Sequence, residues 1–225
     1  MKRAILILFI SVTASTLLSA QDTLILYYND EWVEIQDKDN ADYYRKAFLD
    51  NGVWTVRDYY KSGKLQMTGT YKSRKFTSRQ GHYVYYYENG QKQSEGEYVS
   101  DKREGLWEFW FENGNKKSKG SFIAENLEGN WVYWYESSEK KAEGNYVRSN
   151  KDGDWRYWHK NGQLESFEKH KLGLIASAEV YYKNGELKYK GGFLNNNRHG
   201  NWTFYNVDGR VFYSGNYSLG LRKGE

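Results

Sequence analysis

The sequence predicts an all-β protein, an extended antiparallel meander of stacked β-hairpins. Aromatic residues are unusually frequent, with nine Trp, 22 Tyr and 10 Phe among 225 residues, and such residues favour strands that pack on one face. The 22 Gly, with no Pro, indicate turns that depend on Asn-Gly and Gly. The third observation is a repeated motif, of which the stretch from Gly105 to Phe122 is a typical copy.

The motif recurs every 24 residues, with one step of 23, and gives about seven hairpins over residues 52–217. A period maintained over such a length predicts a repeat architecture, here a single twisted or curled sheet. A longer basic loop, residues 72–80, separates the first hairpin from the second. The turn dipeptides are Ser62-Gly63, Asn89-Gly90, Asn113-Gly114, Ser137-Ser138, Asn161-Gly162, Asn184-Gly185 and Asp208-Gly209.

The turns also predict the register of each hairpin. If Asn113-Gly114 is a two-residue type I′ turn, Trp107 lies opposite Gly120 and Phe122 lies opposite Gly105. A ring opposite a glycine can lie flat on the sheet and cover it, which recovers the stability that a strand glycine costs. We therefore expect a structural frame of glycines and tryptophans. Its members are Gly105, Trp107, Gly120, Gly129, Trp131, Gly144, Trp202 and Gly215.

Alternation along the strands predicts two different faces. Trp107, Phe109, Phe111 and Phe122 belong to a face that is almost wholly aromatic, whereas Trp110 belongs to an aromatic belt on a polar face. The belt comprises Tyr59, Tyr86, Trp110, Trp134, Trp158, Tyr181 and Tyr205.

A second column stands two residues after each turn glycine position. It contains Lys92, Lys116 and Lys140 in the central repeats, and Leu65, Leu164, Leu187 and Val211 in the outer ones. The turn rule puts these lysines opposite Tyr87, Phe111 and Tyr135, on the aromatic face. One interpretation is that the lysine stems lie over rings with their ammonium groups in water. The other is a basic ladder for an anionic lipid, a glycan or an acidic partner segment.

The frame fails at one place, residues 168–178. Glu168 stands where other repeats have a glycine, and Ser177-Ala178 replace the usual Gly-x-Trp opening. Either the sheet bends or is interrupted at this seam, or the repeat has drifted without structural consequence.

The two ends differ from the repeats. Residues 1–20 have the pattern of a cleaved signal peptide, with an uncleaved membrane anchor as the alternative. In the leader, residues 21–51, we expect strands at Leu24–Tyr28 and Trp32–Ile35 and a hairpin at Asp50-Asn-Gly52, with a short helix over 41–49 as the alternative. Residues 218–225 form a tail. Export is expected to lead to the periplasm or the cell surface.

Composition argues against several functions. The chain has no Cys, so disulfides and thiolate metal sites are excluded. Net charge is −5 over residues 22–50 and +7 over 51–225, with the charges interleaved, so nucleic acid is not expected as a partner. The histidines, His82, His159, His170 and His199, are scattered without metal-site spacing. No acid–base pair stands out, and we expect neither catalysis nor a cofactor.

The repeated pattern Gly-x-Trp-x-x-Tyr/Trp-x-x-Asn-Gly, followed by Gly-x-Tyr, resembles the MORN repeat variant of bacterial proteins that are often labelled antitoxin-like. The resemblance covers roughly residues 52–217. It implies stacked hairpins that act in contacts with proteins or lipids, and it brings no catalytic residues. We therefore expect an exported scaffold that binds a protein. The alternatives are a cell-envelope module for glycan or anionic lipid, and an immunity-like protein that neutralises a partner. Neither the partner nor the oligomeric state can be read from the sequence.

Overall fold

The computed structural model describes residues 23–224, which form one antiparallel sheet of 18 strands. From β3 onward each strand pairs with the next in sequence, while β1 pairs with both β3 and β2. The strands are β1 Leu24–Tyr28, β2 Glu34–Ile35, β3 Tyr43–Asp50, β4 Val53–Tyr60, β5 Leu65–Tyr71, β6 Gly81–Tyr86, β7 Lys92–Val99, β8 Lys102–Trp110, β9 Lys116–Ile123, β10 Asn126–Trp134, β11 Lys140–Val147, β12 Asn150–Trp158, β13 Leu164–Lys171, β14 Leu174–Tyr181, β15 Leu187–Leu194, β16 Asn197–Tyr205, β17 Val211–Ser218 and β18 Leu221–Lys223.

The predicted all-β meander is confirmed, and its seven hairpins are strands β4 to β17. The alternative of a helix over 41–49 is wrong, because Tyr43–Asp50 is strand β3 and pairs along its whole length with β4. Strand β18 lies inside the predicted tail and continues the sheet. The predicted signal peptide, residues 1–20, lies outside the described residues. Within residues 23–224 we find no helix of the length and apolarity needed to cross a membrane.

The predicted turn type is wrong for the Asn-Gly dipeptides. At Asn113-Gly114 only the glycine has a positive φ, of 87°. The Gly114 N–H donates to the Phe111 carbonyl, and the Phe111 N–H donates to the Asn115 carbonyl, so the loop has three residues. A three-residue loop shifts the register by one, and a β-bulge between Phe109 and Trp110 shifts it back.

The two-residue turns with two positive φ values instead join one hairpin to the next. Ser100 and Asp101 have φ of 50° and 67°, and Arg148 and Ser149 have 47° and 64°. Such turns match the right-handed twist of the flanking strands. The connections between these hairpins are therefore tight turns, and the residues on either side of them belong to strands.

The glycine that opens each unit creates a bulge that turns the following tryptophan onto the sheet. Gly129, Asn130 and Trp131 together lie opposite the single residue Gly120. Gly129 has φ of 68° and no atom within 4 Å of the place where a Cβ would be. The constraint at Gly129 is thus its left-handed backbone, which costs other residues about 1–2 kcal/mol.

The core of this single-layer sheet consists of rings that lie over glycines of the preceding hairpin. The register Trp107–Gly120 is confirmed, but the Trp107 ring covers Gly96, its other neighbour, and Trp131 covers Gly120. Each indole Nε1–H then donates to the carbonyl of the residue after the covered glycine, as Trp131 does to Ser121 at 3.2 Å. We call Trp107, Trp131, Trp155 and Trp202 the core tryptophans, and all four are buried.

A ladder of tyrosine hydroxyls also joins consecutive hairpins, and sequence reasoning missed it. The Tyr87 hydroxyl donates to the Trp110 carbonyl at 2.9 Å, and the Tyr135 hydroxyl donates to the Trp158 carbonyl at 2.8 Å. Tyr182 and Tyr205 repeat the contact at 2.9 Å. Phe111 occupies the same position in its own hairpin and has no hydroxyl to donate.

A buried ion pair closes the core at its amino-terminal end. The Arg45 guanidinium makes two hydrogen bonds of 2.7 Å to the Asp58 carboxylate, and it lies 5.0 Å from the centre of the Phe76 ring. Burial opposes the charge on Arg45, but the hydrogen bonds with Asp58 outweigh burial and raise the pKa of the guanidinium. Beside the pair, Val56 and Ala47 hold the positions that the ring and the glycine have in later hairpins, and both are fully buried.

The seam does not interrupt the sheet. Strands β13 and β14 pair continuously from Ser166–Val180 to Lys171–Leu174, with one register shift after Lys169. Where the other repeats begin, the strand carries two extra residues relative to its partner, whereas at the seam it carries only one. The chain of ring contacts does break here, because it ends at Trp155–His170 and resumes at Tyr189–Trp202.

The ring-over-glycine contact makes a direct prediction for Gly120→Ala. A Cβ at this position would overlap the Trp131 ring, so we expect the free energy of unfolding to fall by about 1–3 kcal/mol in urea titrations. In a Trp131→Ala background the same substitution should cost much less. An equal cost in both backgrounds would contradict the contact.

The tyrosine ladder predicts that Phe111→Tyr stabilises the protein. The new hydroxyl can donate to the Trp134 carbonyl, and we expect a gain of about 0.5–1.5 kcal/mol in the free energy of unfolding. Tyr135→Phe is the matched variant and should lose a similar amount. A neutral Tyr135→Phe would show that the ladder does not stabilise the fold.

Candidate functional site

The lysine column lies on the belt face, so its predicted place on the aromatic face is wrong. Lys92 pairs with Tyr86, and Lys116 pairs with Trp110. The corresponding pair in the next hairpin is Trp134–Lys140. The three-residue loop causes this change, because it moves the residue after the turn by one place relative to the two-residue turn that we expected.

The two predicted sets therefore form one row across the sheet, which we call the belt row. In order its pairs are Tyr59–Leu65, Tyr86–Lys92, Trp110–Lys116, Trp134–Lys140, Trp158–Leu164, Tyr181–Leu187 and Tyr205–Val211. Because the aromatic members occupy every second strand, neighbouring ones are about 10 Å apart. The central part alternates rings with cations, and the carboxy-terminal part alternates rings with aliphatic side chains.

Lysines of the central row pack on the next tryptophan and pair with a glutamate. Lys92 Nζ lies 4.8 Å from the centre of the Trp110 ring and 2.7 Å from a Glu95 carboxylate oxygen. Lys140 Nζ is likewise 5.2 Å from the Trp158 ring centre and 2.9 Å from Glu143. These contacts support the interpretation in which the lysine stems lie over rings.

The middle lysine differs, because it shares a carboxylate. Lys116 Nζ and Lys119 Nζ both lie 2.9 Å from the same oxygen of Glu108. The hydrogen bond from Lys116, against some opposition from burial, and a second bond from Lys119 lower the pKa of Glu108. The charges beside the central row are thus mixed in sign rather than a basic ladder.

Exposure separates the two sets of tryptophans. Trp110, Trp134 and Trp158 are partly exposed, and within residues 23–224 their indole nitrogens have no hydrogen-bond partner in the protein. Trp107 and Trp202 are each only 1% exposed. The face predicted to be almost wholly aromatic is therefore the core, and the belt row is a partly exposed aromatic surface that recurs from hairpin to hairpin.

The row continues past the seam with a weaker charge pattern. Burial and a hydrogen bond of 2.8 Å to Glu179 raise the pKa of Tyr181 to about 12, so its hydroxyl stays protonated at neutral pH. A shallow depression beside this part of the row is lined by residues that include Phe167, Lys169 and Lys190.

The histidines do not form a site. His82 is exposed beside Glu97, and His170 is buried against Trp155 with its Nε2 at 2.9 Å from Glu168. In the described part of the chain no group of three His, Asp or Glu side chains could hold a metal ion. The belt row is the feature that repeats across the fold and remains open to a ligand.

The family model of the MORN repeat variant matches five stretches of the chain, residues 55–73, 79–100, 103–124, 151–166 and 177–195. Strands β10–β11 and β16–β17 lie outside these matches, although they form hairpins of the same kind. No curated protein matches the chain. Repeats of this type are in general modules for interaction with proteins or membranes. From the five matches and the seven stacked hairpins, the chain belongs to the MORN repeat variant family.

Proposed function

We propose that this protein is a non-enzymatic scaffold that binds a partner protein along the belt row. The observation that carries the proposal is the division of the rings between the two faces. The core tryptophans are buried by contacts within the sheet, whereas Trp110, Trp134 and Trp158 remain partly exposed at equivalent positions of three successive hairpins. Export to the periplasm or cell surface is part of the proposal, and it is supported by the signal-peptide pattern of residues 1–20.

The chemistry of the row favours a protein surface as its ligand. Tryptophan and tyrosine are the residues that most often dominate binding energy at protein interfaces, and a rim of charged groups of both signs supplies specificity. Glu95, Glu108 and Glu143 beside the lysines form such a rim. A partner can exchange these internal ion pairs for intermolecular ones.

The same ion pairs argue against an anionic lipid. A polybasic membrane site needs cations without carboxylate partners, but each lysine of the row has a glutamate within 2.9 Å. A glycan is the second candidate, because flat rings about 10 Å apart suit a repeating chain of sugar rings. No observation on these residues favours the immunity-like alternative.

Capture from cell-envelope extract tests the proposal. The wild type and a Trp110→Ala/Trp134→Ala/Trp158→Ala variant would be compared, and any captured protein would then be purified and its affinity measured directly. We expect the triple variant to bind at least about tenfold more weakly, because truncation of central interface tryptophans has large effects.

The controls separate the partner classes. Replacement of Glu112, Glu136 and Lys160 at the exposed turns by Gln should leave affinity unchanged. Equal affinity of the wild type and the triple tryptophan variant would reject the belt row as the protein-binding surface. Binding on a glycan array that requires the three tryptophans, without a protein partner, would favour the second candidate.

A further inference from the structure

The chain contains five Asn-Gly dipeptides, and the fold holds one of them differently from the other four. Asparagine before glycine is especially prone to deamidation, because glycine has no side chain to shield its backbone nitrogen. The dipeptide Asn51-Gly52 joins β3 to β4. The other four lie at the turns of repeat hairpins, and we call their asparagines the repeat asparagines: Asn89, Asn113, Asn161 and Asn184.

Two hydrogen bonds fix the side-chain amide of every repeat asparagine. The Asn113 Oδ1 accepts from the Asn115 N–H at 3.0 Å, and its Nδ2 donates to the Glu136 carbonyl of the next hairpin at 3.1 Å. The other three make the same two bonds, one with the N–H two residues later and one with a carbonyl of the following hairpin. The amide carbon of each repeat asparagine is thereby held in one orientation.

The glycine nitrogens of these turns are restrained as well. The Gly114 N–H donates to the Phe111 carbonyl at 2.9 Å, and the glycines after the other repeat asparagines make the equivalent bond at the same length. Deamidation begins when this nitrogen loses its proton and attacks the amide carbon, so a hydrogen bond that it donates opposes the reaction. In the repeat hairpins both reacting groups are therefore held back.

The turn of the β3–β4 hairpin lacks both restraints. Within residues 23–224 no group makes a hydrogen bond with the Asn51 side chain, which is exposed, and the Gly52 N–H donates to no backbone carbonyl. The two residues have φ of 48° and 80°. No atom lies within 4 Å of the place where a Cβ of Gly52 would be, so neighbouring groups do not block the attack.

We propose that Asn51 is a site at which this protein deamidates itself. Hydroxide removes the Gly52 amide proton, the nitrogen forms a bond to Cγ of Asn51, and the bond from Cγ to Nδ2 breaks. The leaving nitrogen takes a proton from water and departs as ammonia. A second water then opens the cyclic imide at either carbonyl, which gives aspartate or isoaspartate at position 51. This inference does not depend on the proposed function.

The reaction changes the β3–β4 hairpin in two ways. Both products put a carboxylate next to Asp50, and like charges repel. Isoaspartate also lengthens the main chain of the two-residue turn by one atom, which disturbs the register of the strands on either side. The same two strands carry the buried pair of Arg45 and Asp58, so we expect the amino-terminal end of the core to weaken.

Peptide mapping of the full chain measures the conversion at each site. The protein would be aged at mildly alkaline pH, either folded or in guanidinium chloride, and digested with trypsin, which puts the five asparagines on separate peptides. Mass spectrometry then gives the converted fraction of each. We expect Asn51 of the folded protein to convert at least about tenfold faster than any repeat asparagine, because three hydrogen bonds oppose the reaction there.

The unfolded sample separates the fold from the local sequence. In guanidinium chloride we expect the five sites to convert at similar rates, because the hydrogen bonds are lost. Conversion of Asn51 in folded protein no faster than that of the repeat asparagines would overturn the inference. A preference for Asn51 that persists at the same size in the unfolded chain would overturn it too, since the fold would then not be its cause.

Variants test the effect of the conversion on stability. Asn51→Gly is the control, because glycine suits a left-handed turn position and has no amide to lose. Ageing should lower the guanidinium midpoint of unfolding for the wild type and not for Asn51→Gly. Asn113→Gly, at a restrained turn, should age like the wild type. Equal losses in the wild type and Asn51→Gly would overturn the claim that modification of this site weakens the β3–β4 hairpin.

Discussion

Each core tryptophan lies over a glycine of the preceding hairpin, and the rest of the fold depends on this contact. A single sheet has no second layer to cover it, so it must build a core from its own side chains. A ring laid flat over a residue without a side chain does this within one layer. Burial of an indole is worth about 4–6 kcal/mol before the entropy costs, and the Nε1–H bond fixes its direction, as at Trp155 with the Asn145 carbonyl.

The contact also explains why the two faces have different roles. It always links one hairpin to the next, so stability is mainly a property of neighbouring pairs, as in other repeat proteins. The rings that make it are unavailable to a ligand. Residues of the belt row take no part in the contact, which leaves their identity free to vary from Lys140 to Leu164 without loss of the fold.

The sequence predicts the architecture and most of the strand register correctly. The turn rule that predicts the register fails only beside the turns. A two-residue turn predicts Trp107 opposite Gly120, and so does a three-residue turn followed by a bulge. The shift from the longer loop and the shift from the bulge cancel along the strand, but between the bulge and the turn only the loop's shift applies. The turn rule therefore puts Lys116 opposite Phe111, whereas Lys116 lies opposite Trp110. The pattern also places a glycine beside Trp107 on each of the two neighbouring strands, so it could not show that the ring covers Gly96. At residues 168–178 the sequence located the exception, and only the paired strands showed that the sheet continues.

The exchange rates of the indole N–H hydrogens test the ring-over-glycine contact most directly, because nuclear magnetic resonance resolves each tryptophan separately. We expect the core tryptophans Trp107, Trp131, Trp155 and Trp202 to exchange slowly, at rates that follow unfolding of the sheet. The belt tryptophans Trp110, Trp134 and Trp158 should exchange quickly. Equal exchange in the two groups, or rapid exchange at the core positions in folded protein, would contradict the contact as the basis of this fold.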